Sequence, residues 1–276
     1  MKKKRIIPVL LYKDGWLVQS KNFSEYRKLG NAQAAVQRFS EWDSDELIYL
    51  NISNTETYST NRRDTAAPEF ENLNELINGV AKVARMPITI GGGIQTLHDI
   101  EARLRAGADK VSINSAALSD PSLISLASRE FGRQCIVVSV DYQEDGEQRK
   151  IYSRIGTRFN SDAIKILDWL LKVEDLGAGE ILLNSVSRDG MQAGYDKIFL
   201  DLASNALKIP IIACGGAGTW EHLYEVLTQT NVDAVAAANI FHFQDQSVYR
   251  ARQFLFTKGL PVRPPGIQVK PGRIIK

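Results

Sequence analysis

The sequence PITIGGGIQTLHDIEARLRAGADKVSINSAAL, at residues 87–118, is matched by PIIACGGAGTWEHLYEVLTQTNVDAVAAANIF at residues 210–241. In each copy a short apolar run is followed by glycines, an amphipathic segment and a second apolar run. Such a repeat indicates that one supersecondary unit occurs twice in the chain. We therefore expect a fold made of two similar halves, related by a two-fold pseudo-symmetry axis.

Short apolar runs recur outside the repeat as well, and longer amphipathic segments such as 161–176 and 219–228 separate them. Near-continuous apolarity predicts strands that are buried on both faces, as in a parallel sheet covered by helices. The pattern predicts the α/β class and a (β/α)8 TIM barrel with two-fold half-barrel pseudo-symmetry. The eight predicted strands are residues 5–11, 46–52, 87–90, 110–114, 135–141, 180–185, 210–214 and 234–238.

The chain length fits one such domain. A chain of 276 residues with 44% hydrophobic content suits a barrel, which typically needs about 250 residues. We assign residues 1–260 to a single barrel. Residues 261–276 are rich in proline, glycine and basic side chains without apolar periodicity, and we expect them to form a poorly ordered tail.

The charge and cysteine content exclude several classes of protein. With 34 basic and 32 acidic residues the formal net charge is only +2, and no basic block suggests binding to nucleic acid. The apolar run at residues 6–11 is too short for a signal peptide or a membrane span. Cys135 and Cys214 lie in apolar runs, as free thiols of a cytoplasmic protein would.

Glycine clusters that follow a buried strand and precede a helix let the backbone approach an anion. The matched positions of two clusters favour a phosphate site in each half, and hence a phosphorylated small molecule that spans the mouth. The alternative is that the glycines only permit tight turns. The candidate phosphate-binding residues are Gly92, Gly93, Asn114 and Ser115 in the first half, and Gly190, Gly215, Gly216, Ala238 and Asn239 in the second.

Four charged residues open or directly precede predicted strands: Arg5, Glu46, Lys110 and Glu180. Charges at the N-terminal ends of barrel strands lie together at the bottom of the barrel, where two cations and two anions can alternate in a ring. From the residues alone, a stabilising plug of salt bridges is the favoured interpretation.

The candidate catalytic residues are Asp141, which ends the fifth predicted strand, and Asp189, which follows the sixth. A carboxylate at the top of a barrel strand is typical of a general acid or base. His98, His222 and His242 lie on or beside predicted helices without metal-ligand spacing, so we expect no metal and no cofactor.

Several motifs together resemble the cyclase subunit of imidazole glycerol phosphate synthase over residues 4–243. They are RIIPVLLYKDG, DELIYLNI, ITIGGGI, GADKVSINSAA, GAGEILLNSVSRDG, GYD, IIACGGAG and FHF. The resemblance implies a barrel that receives ammonia at its N-terminal face from a glutaminase subunit and conducts it to a bisphosphate substrate at the top. It also implies that the ring of Arg5, Glu46, Lys110 and Glu180 is an ammonia gate instead of a plug.

The sequence departs from the family at the substrate end. The family's catalysis uses two aspartates, of which Asp141 is present, while Leu11 stands where the other is expected. Gln19 replaces a lysine, and Asn51 replaces an aspartate. The loop at residues 53–71 is longer than in the family and carries Arg62, Arg63 and Asp64.

The opening PVLLYKDGWLV, with leucine at the aspartate position, is similar to a sister group of surface-polysaccharide (LPS/O-antigen) pathways. That similarity implies ammonia supply to an ATP-dependent sugar amidotransferase, which forms an acetamidino group on a nucleotide-linked N-acetyl sugar. This is the favoured function. The first alternative is the histidine-pathway lyase, with Asp14 or Asp189 as the substitute acid. The second is a phosphosugar isomerase without a glutaminase, which would not need the charge ring.

Overall fold

The computed structural model describes residues 3–21, 25–53, 57–58, 70–153, 165–242 and 247–266. With strands numbered along the chain, eight of them form a closed parallel barrel in which the last pairs with the first. This confirms the predicted (β/α)8 fold. The barrel strands are β1 (Arg5–Lys13), β4 (Leu47–Asn51), β5 (Ile88–Gly91), β6 (Lys110–Ile113), β7 (Ile136–Asp145), β9 (Glu180–Ser185), β10 (Ile211–Cys214) and β11 (Ala234–Ala237).

Three further strands lie outside the barrel. β1 continues past its barrel segment and pairs antiparallel with β2 (Trp16–Lys21), which pairs with β3 (Glu25–Gly30). β7 likewise continues and pairs antiparallel with β8 (Gln148–Ile151). Asp14 and Gly15 both have positive φ, as the two central residues of a tight hairpin turn require. The prediction omitted these extensions because their strands are largely polar.

Nine helices occur in the described part of the chain, and most follow a barrel strand. Side chains of Asn31, Asn72, Thr96, Asp196 and Thr219 cap five of them. The helices are α1 (Ala32–Glu41), α2 (Leu73–Val83), α3 (Leu97–Arg105), α4 (Ser115–Ser119), α5 (Ser122–Phe131), α6 (Ile166–Asp175), α7 (Lys197–Ala206), α8 (Trp220–Gln229) and α9 (Ser247–Thr257).

The predicted helix at 161–176 therefore begins at Ile166 among the described residues, since 161–164 lie outside them. Across the described ranges, no helix combines the length and the apolarity that a membrane crossing requires.

Strand side chains alternate between two separate apolar clusters. The larger cluster packs outward-facing residues such as Ile6 and Leu10 against the helices. The smaller cluster fills the barrel interior. Burial on both faces explains why the strands appear in the sequence as continuous apolar runs. The interior cluster consists of Ile7, Val9, Ile48, Val137, Leu182, Ile212, Ala234 and Ala236.

The two halves match in detail. Asp109 accepts a hydrogen bond from the backbone N–H of Ile88 at 2.8 Å, and Asp233 accepts the equivalent bond from Ile211 at 3.2 Å. Each aspartate thereby ties the start of one barrel strand to the loop that leads into the next. The repeated sequence therefore builds the same local structure twice.

The barrel's ordered contacts extend beyond residue 260, where we predicted the tail to begin. The backbone N–H of Lys4 donates to the carbonyl of Pro261 at 2.8 Å, and Val262 is buried. Arg263 forms ion pairs with Asp43 and Asp45. So short a segment has no periodicity that a sequence pattern could reveal. Residues 267–276 lie outside the described residues.

His242 makes the stability of the fold dependent on pH. Burial, and secondly the nearby Arg38 cation, lower its pKa from 6.5 to about 4. The unfolded chain therefore binds a proton at a higher pH than the folded chain. We expect the free energy of unfolding to fall as the pH drops from about 6.5 to about 4, with His242 contributing up to about 3 kcal/mol of that loss.

Urea denaturation at pH 7, 5.5 and 4.5 measures this effect. The variant His242→Phe, which keeps an aromatic ring against Phe39, should show a shallower pH dependence than the wild type. His98→Gln, at an exposed position of α3, is the matched control and should show the same pH dependence as the wild type. Equal slopes for the wild type and His242→Phe would contradict the assignment.

Candidate active site

The four charged residues predicted to lie together do so at the bottom of the barrel. Arg5 donates to Glu46 and, at 3.1 Å, to Glu180. Lys110 donates to Glu46 and Glu180, both at 3.0 Å. Cations and anions thus alternate in a closed ring across the barrel axis.

The ring is electrostatically balanced and mostly buried, with side chains between 8% and 21% exposed. Burial alone would lower the pKa of Arg5, but Glu46 and Glu180 outweigh it, and the pKa is raised. The guanidinium therefore stays charged and keeps both carboxylates occupied.

Above the ring, the barrel interior is mainly apolar. The interior cluster described above surrounds the axis, and Thr89, Ser112 and Ser139 add buried hydroxyl groups to strands on one side. Strand alternation places Ser112 on the same side of β6 as Lys110. The barrel interior is therefore lined by apolar side chains with a few hydrogen-bonding groups.

Asp141 lies at the top of β7, held by two amide side chains. Its Oδ2 accepts from Asn114 Nδ2 at 2.8 Å, and its Oδ1 accepts from Asn184 Nδ2 at 3.0 Å. Both oxygens are thus oriented by donors that cannot themselves take up a proton. Asn114, predicted to bind phosphate, contacts this carboxylate. Asn184 was not predicted, although the alternation of β9 places it on the same side as Glu180.

Asp189 follows β9 and accepts a hydrogen bond from Ser20 on β2 at 3.1 Å. Burial, and then the charges of Asp189 and Asp141, raise the pKa of the Cys214 thiol. Both carboxylates therefore lie close enough to the end of β10 to act on one thiol. The structure places the two candidate catalytic residues at the same end of the barrel, with a protonated Cys214 near both.

Leu11 occupies the inward position at the top of β1. It pairs in register with Leu50 of β4 and packs on the interior cluster together with Cys214. The strand that would supply the second carboxylate therefore presents an apolar side chain. The side-chain oxygen of Asn51 accepts a hydrogen bond from the backbone N–H of Ser53. Arg62, Arg63 and Asp64 lie outside the described residues.

The first glycine turn is sterically constrained. Gly92 has φ +94°, and a Cβ there would lie 1.8 Å from the carbonyl oxygen of Asn51. Gly93 also has positive φ and is exposed, and Ser115 begins α4 beside it in the barrel order. Close approach to the neighbouring strand therefore accounts for Gly92 by itself.

The second glycine turn brings together residues from three loops. Gly215 and Gly216 have φ of +93° and +103°, and the carbonyl of Gly216 accepts from the N–H of Gly194 at 2.8 Å. A Cβ on Gly190 would lie 3.2 Å from Asn239 Nδ2. The half-buried Ala238 precedes Asn239.

Asn239 supplies a further polar group at this turn. Its side-chain amide donates to the Ser20 carbonyl at 2.9 Å, while its Oδ1 is buried without a hydrogen-bond partner among the described residues. The predicted residues of the second half are therefore neighbours, and they include one buried acceptor.

Of the histidines, His222 lies beside the second glycine turn, since a Cβ on Gly194 would lie 3.5 Å from its ring. His222 accepts the N–H of Gly218 on its Nδ1 at 3.2 Å, and His98 is exposed on α3. Within the described ranges, no group of three or more His, Cys, Asp or Glu side chains is placed to hold a metal ion.

Two matched glycine turns and a carboxylate thus lie at the C-terminal rim of a (β/α)8 barrel, above a charged ring, which is the end where enzymes of this fold class hold their active sites. The model of the family described as histidine biosynthesis protein matches residues 5–247. The chain belongs to this family.

Curated relatives agree with the assignment. The chain is 42% identical to imidazole glycerol phosphate synthase subunit HisF of Dehalococcoides mccartyi strain 195. It is 41% identical to the proteins of the same name from strains BAV1 and CBDB1. Each match covers 263 residues, 95% of this chain and 99% of the relative. The similarity therefore extends over the whole barrel.

The steric role of Gly92 is testable. Gly92→Ala should lower the free energy of unfolding by about 3 kcal/mol, because the new methyl group meets the Asn51 backbone and φ is positive. Gly146→Ala is the matched control, since Gly146 also has positive φ but open space around it, and it should cost only about 1 kcal/mol. Denaturant unfolding of the three proteins gives the comparison. Equal losses would contradict the close approach.

Proposed function

We propose that this chain is the synthase barrel of a glutamine amidotransferase, which takes ammonia at its N-terminal face from a glutaminase subunit. The observation that carries the proposal is the closed ring of Arg5, Glu46, Lys110 and Glu180 across the axis. A ring built only for stability gains little from burying four charges, since a buried ion pair seldom outperforms an apolar pair. A ring of groups that exchange hydrogen bonds with a passing molecule is suited to a gate for a small polar solute.

The interior supports transport of neutral ammonia instead of ammonium ion. Apolar side chains of the interior cluster surround the axis above the ring, and an unpaired cation is costly to place in such surroundings. Glu46 and Glu180 can accept hydrogen bonds from ammonia as it passes, and the buried Ser112 hydroxyl can do so further up. Ammonia would then emerge at the rim that holds Asp141.

At the rim, we propose a phosphorylated small molecule held by the glycine turns of the two halves, with Asp141 as the general acid or base. The relatives' name favours the imidazole glycerol phosphate synthase reaction of histidine biosynthesis, a lyase activity, as the use of this ammonia. Asp189 would then be the second carboxylate, because Leu11 can neither donate nor accept a proton.

A second candidate acceptor rests on Leu11 itself. The loss of a carboxylate at the top of β1, beside an intact ring below, fits a barrel that delivers ammonia without cyclising a substrate. The ammonia would pass to an ATP-dependent sugar amidotransferase that forms an acetamidino group on a nucleotide-linked N-acetyl sugar of polysaccharide biosynthesis. Both candidates share the ring and the glutaminase, and they differ only at the rim.

Turnover with ammonium salt separates the two acceptors. The purified protein is given the aminoimidazole ribonucleotide intermediate of histidine biosynthesis, alongside Leu11→Asp and Asp141→Asn. If Asp189 substitutes for the missing acid, the wild type turns over at an ordinary enzymatic rate, and Asp141→Asn loses at least about a hundredfold. Absence of wild-type turnover, with or without a gain in Leu11→Asp, excludes the cyclase reaction and leaves the sugar candidate.

Glutamine hydrolysis tests the partner. A glutaminase subunit of an imidazole glycerol phosphate synthase, assayed for glutamate formation, should be stimulated by the wild-type chain. Lys110→Met should reduce the stimulation severalfold, because Glu46 and Glu180 then lose a shared cation and the ring opens. Arg105→Gln, in the exposed pair with Glu101, is the control. Failure of the wild type to bind or stimulate the glutaminase would refute the proposal.

A further inference from the structure

The β7–β8 hairpin continues directly from Asp141 and contacts the loop that carries Asp189. We call residues 186–196 the β9–α7 loop. β7 pairs with β8 from Tyr142 to Asp145, and past Tyr142 it no longer pairs with β9. The hairpin contacts both ends of the β9–α7 loop.

At the start of the loop, Glu144 of the hairpin makes the contacts. Its backbone N–H donates to Ser187 Oγ at 3.0 Å, and its carboxylate accepts from Arg188 Nε at 2.5 Å and Nη2 at 3.0 Å. A two-pronged arginine–carboxylate contact fixes orientation as well as distance. The hydrogen bond to Glu144 is the largest cause that raises the pKa of Arg188. Arg188, the residue directly before Asp189, is therefore fixed by a side chain that does not belong to the β9–α7 loop.

At the end of the loop, Arg149 of β8 binds Asp196. Arg149 Nε and Nη2 donate to the two carboxylate oxygens at 2.5 and 3.2 Å. Asp196 is almost fully buried and also accepts the N–H of Phe199, which caps α7. The hairpin thus fixes both ends of the loop through one arginine–carboxylate pair at each.

The loop in turn supports the second glycine turn. Arg188 Nη1 donates to the carbonyl of Gly194 at 3.2 Å, and the N–H of Gly194 donates to the carbonyl of Gly216 at 2.8 Å. A Cβ on Gly216 would lie 3.3 Å from Arg188 Cβ. A continuous chain of contacts therefore leads from Glu144 through Arg188 to Gly216.

We propose that Glu144, Arg188, Arg149 and Asp196, here called the hairpin clamp, are positioning residues. They set the second glycine turn for an anionic group of the substrate, and they set the place of Asp189 beside that turn. The proposal rests on the phosphate site of the proposed function. The clamp holds two cations and two carboxylates that satisfy one another, so it acts through geometry and not by attracting an anion itself.

The direction in which one substitution changes the affinity for an anion separates positioning from simple electrostatics. Glu144→Gln removes a negative charge near the second turn, which by charge alone strengthens the binding of an anion. If the clamp positions the turn, the same change weakens binding, because Arg188 loses its two-pronged partner. Asp196→Asn makes the equivalent test at the other end of the loop, and asparagine can still cap α7.

The experiment is a titration with inorganic phosphate, followed by amide NMR shifts of Gly215 and Gly216 in the second turn and of Gly92 and Gly93 in the first. In Glu144→Gln and Asp196→Asn we expect phosphate binding at the second turn to weaken about tenfold, with the first turn unchanged as an internal control. Glu225→Gln, which breaks the Lys197–Glu225 pair nearby, is the matched variant and should retain binding.

The outcomes distinguish the two proposals. Unchanged or tighter phosphate binding at the second turn of Glu144→Gln overturns the clamp and leaves the proposed function standing. A wild type that binds no phosphate at either turn overturns the phosphate site and the clamp together. Equal weakening at both turns indicates a global loss of structure and also overturns the clamp. Hydrogen exchange that increases at residues 186–194, but not in β9 or β10, accompanies the expected result.

Discussion

Closure of the parallel ladder between β1 and β11 fixes which side chains face the axis, and the site follows from it. Arg5 pairs with Ala234 and Ile7 with Ala236, so the odd-numbered positions of β1 point inward. A slip of one residue would turn every side chain of the strand to the opposite face. Arg5 would then leave the ring, and Ile6 would enter the barrel. The ring, the apolar interior and Leu11 therefore lie at successive heights along the barrel axis, and the same strand register sets the inward-facing residues at each height.

The features predicted from the sequence are those that repeat. Eight apolar runs, paired glycine turns and charges at strand starts all recur at barrel positions, so the fold and the charge ring follow from spacing alone. The partner of Asn114 was not predictable in this way. Its amide, which we predicted to bind phosphate, contacts Asp141 on a neighbouring strand, and such a contact depends on the relative heights of two strands that no local pattern specifies.

The polar extensions show the same limit. β2, β3 and β8 lack the apolar runs on which the barrel prediction relied, and Arg149 and Arg188 have no spacing that marks them as partners of carboxylates on other elements. The segment at Pro261–Arg263 is ordered by two ion pairs and a single buried valine. Because only a few specific contacts hold this segment, its composition resembles that of a disordered tail, and composition alone led to the wrong boundary.

The contact between Lys4 and Pro261 means that the barrel's first and last segments meet at one face, next to Asp43 and Asp45. The fully buried Arg252 on α9 binds the same two carboxylates, so the last helix is anchored where the first strand begins. The first and last described segments, at Lys4 and Pro261, thus lie side by side. A circular permutation that joins these ends and opens the chain between the halves, near Gly132, would exchange the order of the two half-barrels and preserve every strand pairing.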